Sequence, residues 1–171
     1  MTLLARLARI WRHRWTDEAD LRRALPADLL ERLTRRVSAS ERRHTGEIRI
    51  CVEAGLPLSY LWRDAPARER AIMLFGKLRV WDTEHNNGVL IYLLLAEHAI
   101  EIVADRGIDA RVDDAQWAAL AKRMSAAFRE ARFEDGLTQA LEEVSALLVE
   151  HFPLAEGEAD RNELPDAPVV L

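Results

Sequence analysis

The stretch Gly88-Val-Leu-Ile-Tyr-Leu-Leu-Leu95 decides the fold. After the glycine every position is apolar, with no alternation. A strand that reads this way is covered on both faces, like the middle strand of a helix–sheet–helix sandwich. The strand after it, Ala99-Ile-Glu-Ile-Val-Ala-Asp105, alternates. So does Glu47-Ile-Arg-Ile-Cys-Val-Glu53 upstream, where Ile48, Ile50 and Val52 share one face. Glu47, Arg49, Cys51 and Glu53 share the other, which is expected to be only partly covered.

A helical tract, Ala67 to Arg79, joins the first two strands and turns Ala71, Leu74, Phe75 and Leu78 inward. The two strands are then parallel, with a right-handed crossover. Ala96-Glu97-His98 is a tight reversal, so the third strand pairs back antiparallel. The middle of the sheet falls to Val89–Leu95, and Arg49 and Glu101 are expected to face each other beside it. Helices flank this core. One begins near Ala27 and is expected to end at His44-Thr45-Gly46 with a left-handed glycine. Two more start near Asp113 and Phe133, and Pro153 ends the last. The loop from Gly55 to Pro66 reads as irregular. The predicted class is α/β: a compact α/β/α sandwich with a small mixed sheet and helices on both faces. N-terminal amphipathic helices occupy 1–26, the α/β domain 27–153, and a disordered acidic tail 154–171.

With 171 residues, 49% of them apolar and 31% charged, the chain has enough material for one domain with a real core. A net charge of −5 disfavours nucleic acid as a partner. Cys51 is the only cysteine, which excludes an intramolecular disulfide framework and a multi-cysteine zinc site. It reads as a small core filler, and a lone thiol fits the cytoplasm.

Met1 to Trp15 carries Arg6, Arg9, Arg12 and Arg14 and no acid. Arginines interrupt it too often for a signal peptide, and no stretch is long and apolar enough for a membrane span. Leu3, Leu4, Leu7, Ile10, Trp11 and Trp15 fall at helical spacing. Two readings are open: the helix docks on the domain or on a second copy, or it lies on an anionic membrane surface. Thr16-Asp17-Glu18 caps the next helix, which stops at Pro26.

The topology gathers polar residues at one end of the sheet. Glu47 precedes the first strand. Asp82, Glu84, His85, Asn86 and Asn87 precede the second, and Asp105 and Arg106 follow the third. Four carboxylates and two amides suit a hard cation such as Ca²⁺ or Mg²⁺, and through it a phosphate. Asp82 to Gly88 is not an EF-hand loop, since Asn87 stands at the sixth place and Leu93 at the twelfth. Metalloprotease, nucleophile-elbow and phosphate-loop motifs are absent. The other end of the sheet offers Glu53, Glu97 and His98.

Three tracts carry a resemblance: His44-Thr-Gly-Glu-Ile-Arg-Ile50, Val80-Trp-Asp-Thr-Glu-His-Asn-Asn-Gly-Val-Leu-Ile-Tyr92 and Ile100-Glu-Ile-Val-Ala-Asp-Arg-Gly107. Phe133-Glu-Asp-Gly136 and His151-Phe-Pro153 add to it. From about Ala27 to Pro153 the chain resembles the soluble bacterial branch of the TPM-domain, or TPM phosphatase-like, proteins. The resemblance implies a Rossmann-like α/β/α sandwich. A plant thylakoid member of that family is linked to acid phosphatase activity and photosystem repair. Animal relatives modulate acetylcholine receptors, and some bacterial members bind divalent metals. Asp82 and Asp105 carry over as acidic site candidates, with Glu47, Glu84 and Asn87 beside them. Many members have a signal peptide and a membrane helix, and this sequence shows neither. The expectation is a cytoplasmic protein that binds a divalent cation and a protein partner through the loops at one sheet end. The alternatives are a metal-dependent acid phosphatase, in which Arg106 neutralises phosphoryl charge and His85 is the nearby acid, and a membrane-peripheral module docked through Met1–Trp15.

Overall fold

Strand β2 (Val89–Leu94) is buried at all six positions. On one side it pairs in parallel with β1 (Ile48–Glu53), on the other antiparallel with β3 (Ala99–Ala104). Ile48 stands opposite Val89, and Val89 opposite Ala104, so the three polar loops meet at one end as the topology requires. The computed structural model describes residues 3–155, 157 and 162–171.

Alternation along the strands sends two apolar sets to opposite faces. Ile48, Ile50, Val52, Val89, Ile91, Leu93 and Ile100 face one core. It is closed by α2 (Glu18–Ala24), α3 (Ala27–Glu41), α7 (Asp114–Arg129) and α8 (Phe133–His151). Cys51, Leu90, Tyr92, Leu94 and Val103 face the other, closed by α4 (Leu58–Trp62) and α5 (Ala67–Lys77). The fold is therefore the α/β/α sandwich read from the sequence. Helix α2 begins at the predicted cap, where Asp17 accepts from the N–H groups of Ala19 and Asp20 and Asp20 accepts from that of Asp17.

Several local expectations are corrected. The second face of β1 is closed rather than half-open: Cys51 and Glu53 are buried. Burial pushes the Cys51 thiol up to about 12, which agrees with a core filler. The loop from Gly55 to Pro66 contains α4. Helix α3 ends at Glu41 with a right-handed cap at Arg42, and Gly46 has no left-handed φ. Gly46 instead lets the Leu148 side chain and the Asn87 carbonyl pack close, where a Cβ would collide. Arg49 and Glu101 do not pair. Arg49 donates to the carbonyls of Pro165 and Ala167 (2.7 Å to the latter), and Glu101 lies 3.7 Å from Arg68.

The largest correction concerns the tail. Residues 156 and 158–161 lie outside the described residues, but the remainder folds back. Strand β4 (Val169–Val170) pairs in parallel with β1, giving the order β3-β2-β1-β4, and Leu164 is buried in the second core. Acidic composition hid this, because the docking segment is short and its partners are backbone groups and an upstream carboxylate.

Two predictions follow from the packing. Deleting 162–171 exposes the β1 edge and takes from buried Glu47 two backbone donors. Stability should fall by about 2–4 kcal/mol, read from urea unfolding; an unchanged midpoint would show that the segment adds nothing. His44 is buried, with Nε2 2.8 Å from Ser40 Oγ, which donates to Ser145 Oγ at 2.6 Å. Desolvation pushes the imidazole down to about 4. The unfolded chain then binds the extra proton first, so stability is full above about 6.5 and falls as pH drops toward 4. The expected loss is about 2–3 kcal/mol, and His44→Gln should flatten that part of the curve.

Candidate functional site

The loop between α5 and β2 is held to the end of β3 by backbone bonds. Asp105 N–H donates to the Gly88 carbonyl at 2.9 Å, and Gly107 N–H to the Asn86 carbonyl at 2.8 Å. Both glycines are required by close approach rather than by positive φ. A Cβ at Gly88 would overlap the Val80 carbonyl oxygen, and one at Gly107 would lie 2.5 Å from that of Asn86. Asn86 takes the left-handed conformation (φ 53), which asparagine tolerates. Asp105 caps the short helix α6 (Arg106–Asp109): its Oδ1 accepts the Arg106 N–H at 2.8 Å. Arg106 Nε donates back to Asn86 Oδ1 at 3.0 Å.

Asn87 is fully buried. Its N–H donates to Thr83 Oγ1 at 3.1 Å and its Nδ2 to the Thr45 carbonyl at 3.0 Å. The Thr45 carbonyl accepts only, so it fixes which way the amide points. That leaves Asn87 Oδ1 buried without a donor, and Asp105 Oδ2 is in the same position. A buried oxygen with no partner is disfavoured by its desolvation, so two at one sheet end mark a place where a positive group fits.

The other predicted site residues divide. Asp82, Glu84 and His85 lie on the same loop, exposed. Glu47 is buried at the same end but is turned to the C-terminal segment, where its carboxylate accepts the N–H groups of Glu163 (2.8 Å) and Leu164 (3.2 Å). Glu163 in turn accepts the Glu84 N–H at 3.1 Å. The structure thus joins Asp105, Arg106 and Asn86 by side-chain bonds, holds Asn87 beside them through Thr45 and Thr83, and gives Glu47 a structural task. Among the described residues no group of three or more His, Cys, Asp or Glu side chains is placed to hold a metal ion, so the unpartnered oxygens are one carboxylate and one amide. Thr45, Thr83 and Glu163 support the loop and carried no motif by which they could be found.

At the opposite end, Glu53 takes two bonds from Arg70 (2.9 and 2.5 Å) and the Tyr92 hydroxyl at 2.7 Å. Burial first, then the Glu53 charge, pushes the Tyr92 hydroxyl upward. Glu97 receives Arg9 Nε at 2.6 Å and His13 Nε2 at 2.9 Å from α1 (Leu3–Trp15). His13 Nδ1 accepts the Leu56 N–H at 3.0 Å, so its own proton sits on Nε2 and goes to Glu97. Burial would raise the Glu97 carboxyl, but the bonds from His13 and Arg9 and the charge on Arg9 outweigh it and hold the group at about 2. Beside these groups lies a cleft of about 750 Å³, lined by Arg12, Leu95, Ala96, His98 and Phe133 among others.

A mixed four-stranded sheet between helical layers, with an Asn/Asp-rich loop locked to an Asp-Arg-Gly turn, defines a class of α/β/α domain. The chain belongs to the TPM-domain family, whose TPM domain matches residues 19–147. Among solved structures it is similar to the BA42 protein of the psychrophilic bacterium Bizionia argentinensis, with a TM-score of 0.74 and 26% identity over 85% of this chain and 94% of that one. The N-terminal domain of a P. gingivalis protein shares the fold, with a TM-score of 0.59 and 20% identity over 77% of this chain and 83% of that one. No curated protein matches the chain. Among the described residues no helix is long and apolar enough to cross a membrane.

The Glu97 cluster sets an acid limit of its own. A carboxyl depressed from 4.5 to about 2 contributes stability that is complete above about 4.5 and lost as pH falls toward 2. Discounted for partial exposure, its worth is about 1–2 kcal/mol. The difference in stability between wild type and Glu97→Gln, measured by urea unfolding, should shrink across that window and leave the His44 contribution unchanged.

Proposed function

We propose that the loop end of the sheet binds a divalent cation, Ca²⁺ or Mg²⁺, and presents the loaded loops to a protein partner. The observation that carries this reading is the pair of buried, donor-less oxygens, Asn87 Oδ1 and Asp105 Oδ2, on segments tied together by the Asp105–Gly88 backbone bond. Oxygen donors of mixed amide and carboxylate type suit hard cations. Asp82 and Glu84 supply exposed carboxylates on the same loop. Glu47 stands last in this set, because its oxygens already take two backbone donors. Trp81, half-exposed beside the loop, offers an apolar anchor for a partner.

A phosphatase activity is the second reading, and it rests on the family alone. It would use the same ion as Lewis acid, with Arg106 as the neighbouring positive charge. His85 would be the acid, and it is exposed on the loop.

The test is a calcium and a magnesium titration followed by amide NMR. Shifts should concentrate at 82–88 and 105–107. Asp105→Asn keeps a capping side chain and should weaken binding by about ten-fold or more, since affinity follows ligand charge. Amides that stay still under both ions would sink the cation reading.

A further inference from the structure

Helix α1 is mounted with its polar face inward. Arg9 points into the domain, with bonds to Glu97 (2.6 Å), Asp64 (3.0 Å) and the Ala65 carbonyl (2.8 Å). His13 is buried between Glu97 and the Leu56 N–H. Arg6 donates to the Trp62 carbonyl. Gly55 sits against the backbone at His13, where a Cβ would come within 2.8 Å of its carbonyl oxygen. This end of the helix is therefore closely packed.

The consequence is an outward apolar face. Leu4 is 79% exposed, Trp11 64% and Trp15 67%, and Leu3 and Leu7 are exposed with them. The Trp11 and Trp15 rings stand 5.0 Å apart. Helix α4, packed against α1, adds exposed Leu58 and Trp62. An amphipathic helix normally buries its apolar stripe. Here only Ile10 packs inward, against the second core, and the rest of the stripe is left out. Contiguous exposed apolar surface of this kind marks an interaction site.

The charges identify the occupant. Helix α1 carries no acid, in a chain whose net charge is −5. Arg12 and Arg14 are exposed and make no ion pair among the described residues. The acids that follow are engaged: Asp17 and Asp20 close the α2 cap, and Glu18 pairs with Arg22. A second copy would bring Arg12 and Arg14 against themselves with no α1 carboxylate to meet them. A surface of negative charge over an apolar interior meets both features, with tryptophan and leucine at the acyl boundary and arginine among the headgroups.

We propose that α1, together with the exposed end of α4, docks the protein on an anionic lipid bilayer surface. This inference is independent of the cation reading. The full chain should co-float with phosphatidylcholine vesicles containing phosphatidylserine, and not with phosphatidylcholine alone. Binding should weaken as salt rises. Tryptophan emission should shift to the blue on binding. Arg12→Gln combined with Arg14→Gln should weaken binding by about thirty-fold, from the usual worth of two arginines at an anionic surface. Trp11→Ser combined with Trp15→Ser should weaken binding and shrink the blue shift to what Trp62 on α4 contributes. All four side chains are exposed, so far-ultraviolet circular dichroism and the melting temperature should be unchanged. Failure of the wild-type chain to float with anionic vesicles overturns the proposal. So does a dimer, seen by light scattering, that the tryptophan pair disrupts.

Discussion

Burial of β2 on both faces and along both edges is the constraint from which the architecture follows. Six consecutive apolar residues leave no side that water can take. Two strands must cover its edges, and two helical layers must cover its faces. Once the crossover through α5 makes β1 parallel and the short reversal at Leu95–Glu97 makes β3 antiparallel, the register is closed. A slip by one residue would turn Ile91 and Leu93 toward the α5 side and Tyr92 away from Glu53. Buried Tyr92 and Glu53, with half-buried Arg70, therefore add a polar check on a register chosen by apolar burial.

Much of this was legible in the sequence, because period and burial speak directly to one another. The apolar run of β2, the positions of β1 and β3 and the cap at Asp17 all appear where the pattern put them, although β1 is covered on both faces. What escaped were features decided by contacts across long sequence separations. Gly46 reads as a helix stop, yet its role is set by Leu148, a residue of the last helix. Arg49 reads as a partner for Glu101, yet β2 lies between them, and carbonyls at 165 and 167 take the guanidinium. The acidic tail reads as unstructured because no local pattern records that Val169 and Val170 complete a sheet.

The candidate site was legible to the same degree. Topology alone placed the loops before β1 and β2 and after β3 together. Composition could not say which oxygens were free. Glu47 and Asp105 look alike in the sequence, but the former is engaged by two N–H groups of the returning tail. The latter gives one oxygen to a helix cap and keeps the other without a donor. Asn86 and Asn87 are two adjacent amides in the sequence, and burial makes Asn87 the more informative of the pair.

The two polar ends of the sheet do different things, and β2 keeps them apart. With six residues at about 3.3 Å each, the loop end and the Glu97 end are separated by roughly 20 Å. At the first, two buried oxygens, Asn87 Oδ1 and Asp105 Oδ2, are left without a donor. At the second, partners are matched until Arg9, His13, Glu53 and Glu97 are all engaged. Matching at that end is what holds α1 with its arginine and histidine inward and its tryptophans out. A surface bound by α1 would thus lie at the carboxyl end of the parallel strands. The Asn/Asp loops would face the opposite way, open to whatever ion or protein meets them.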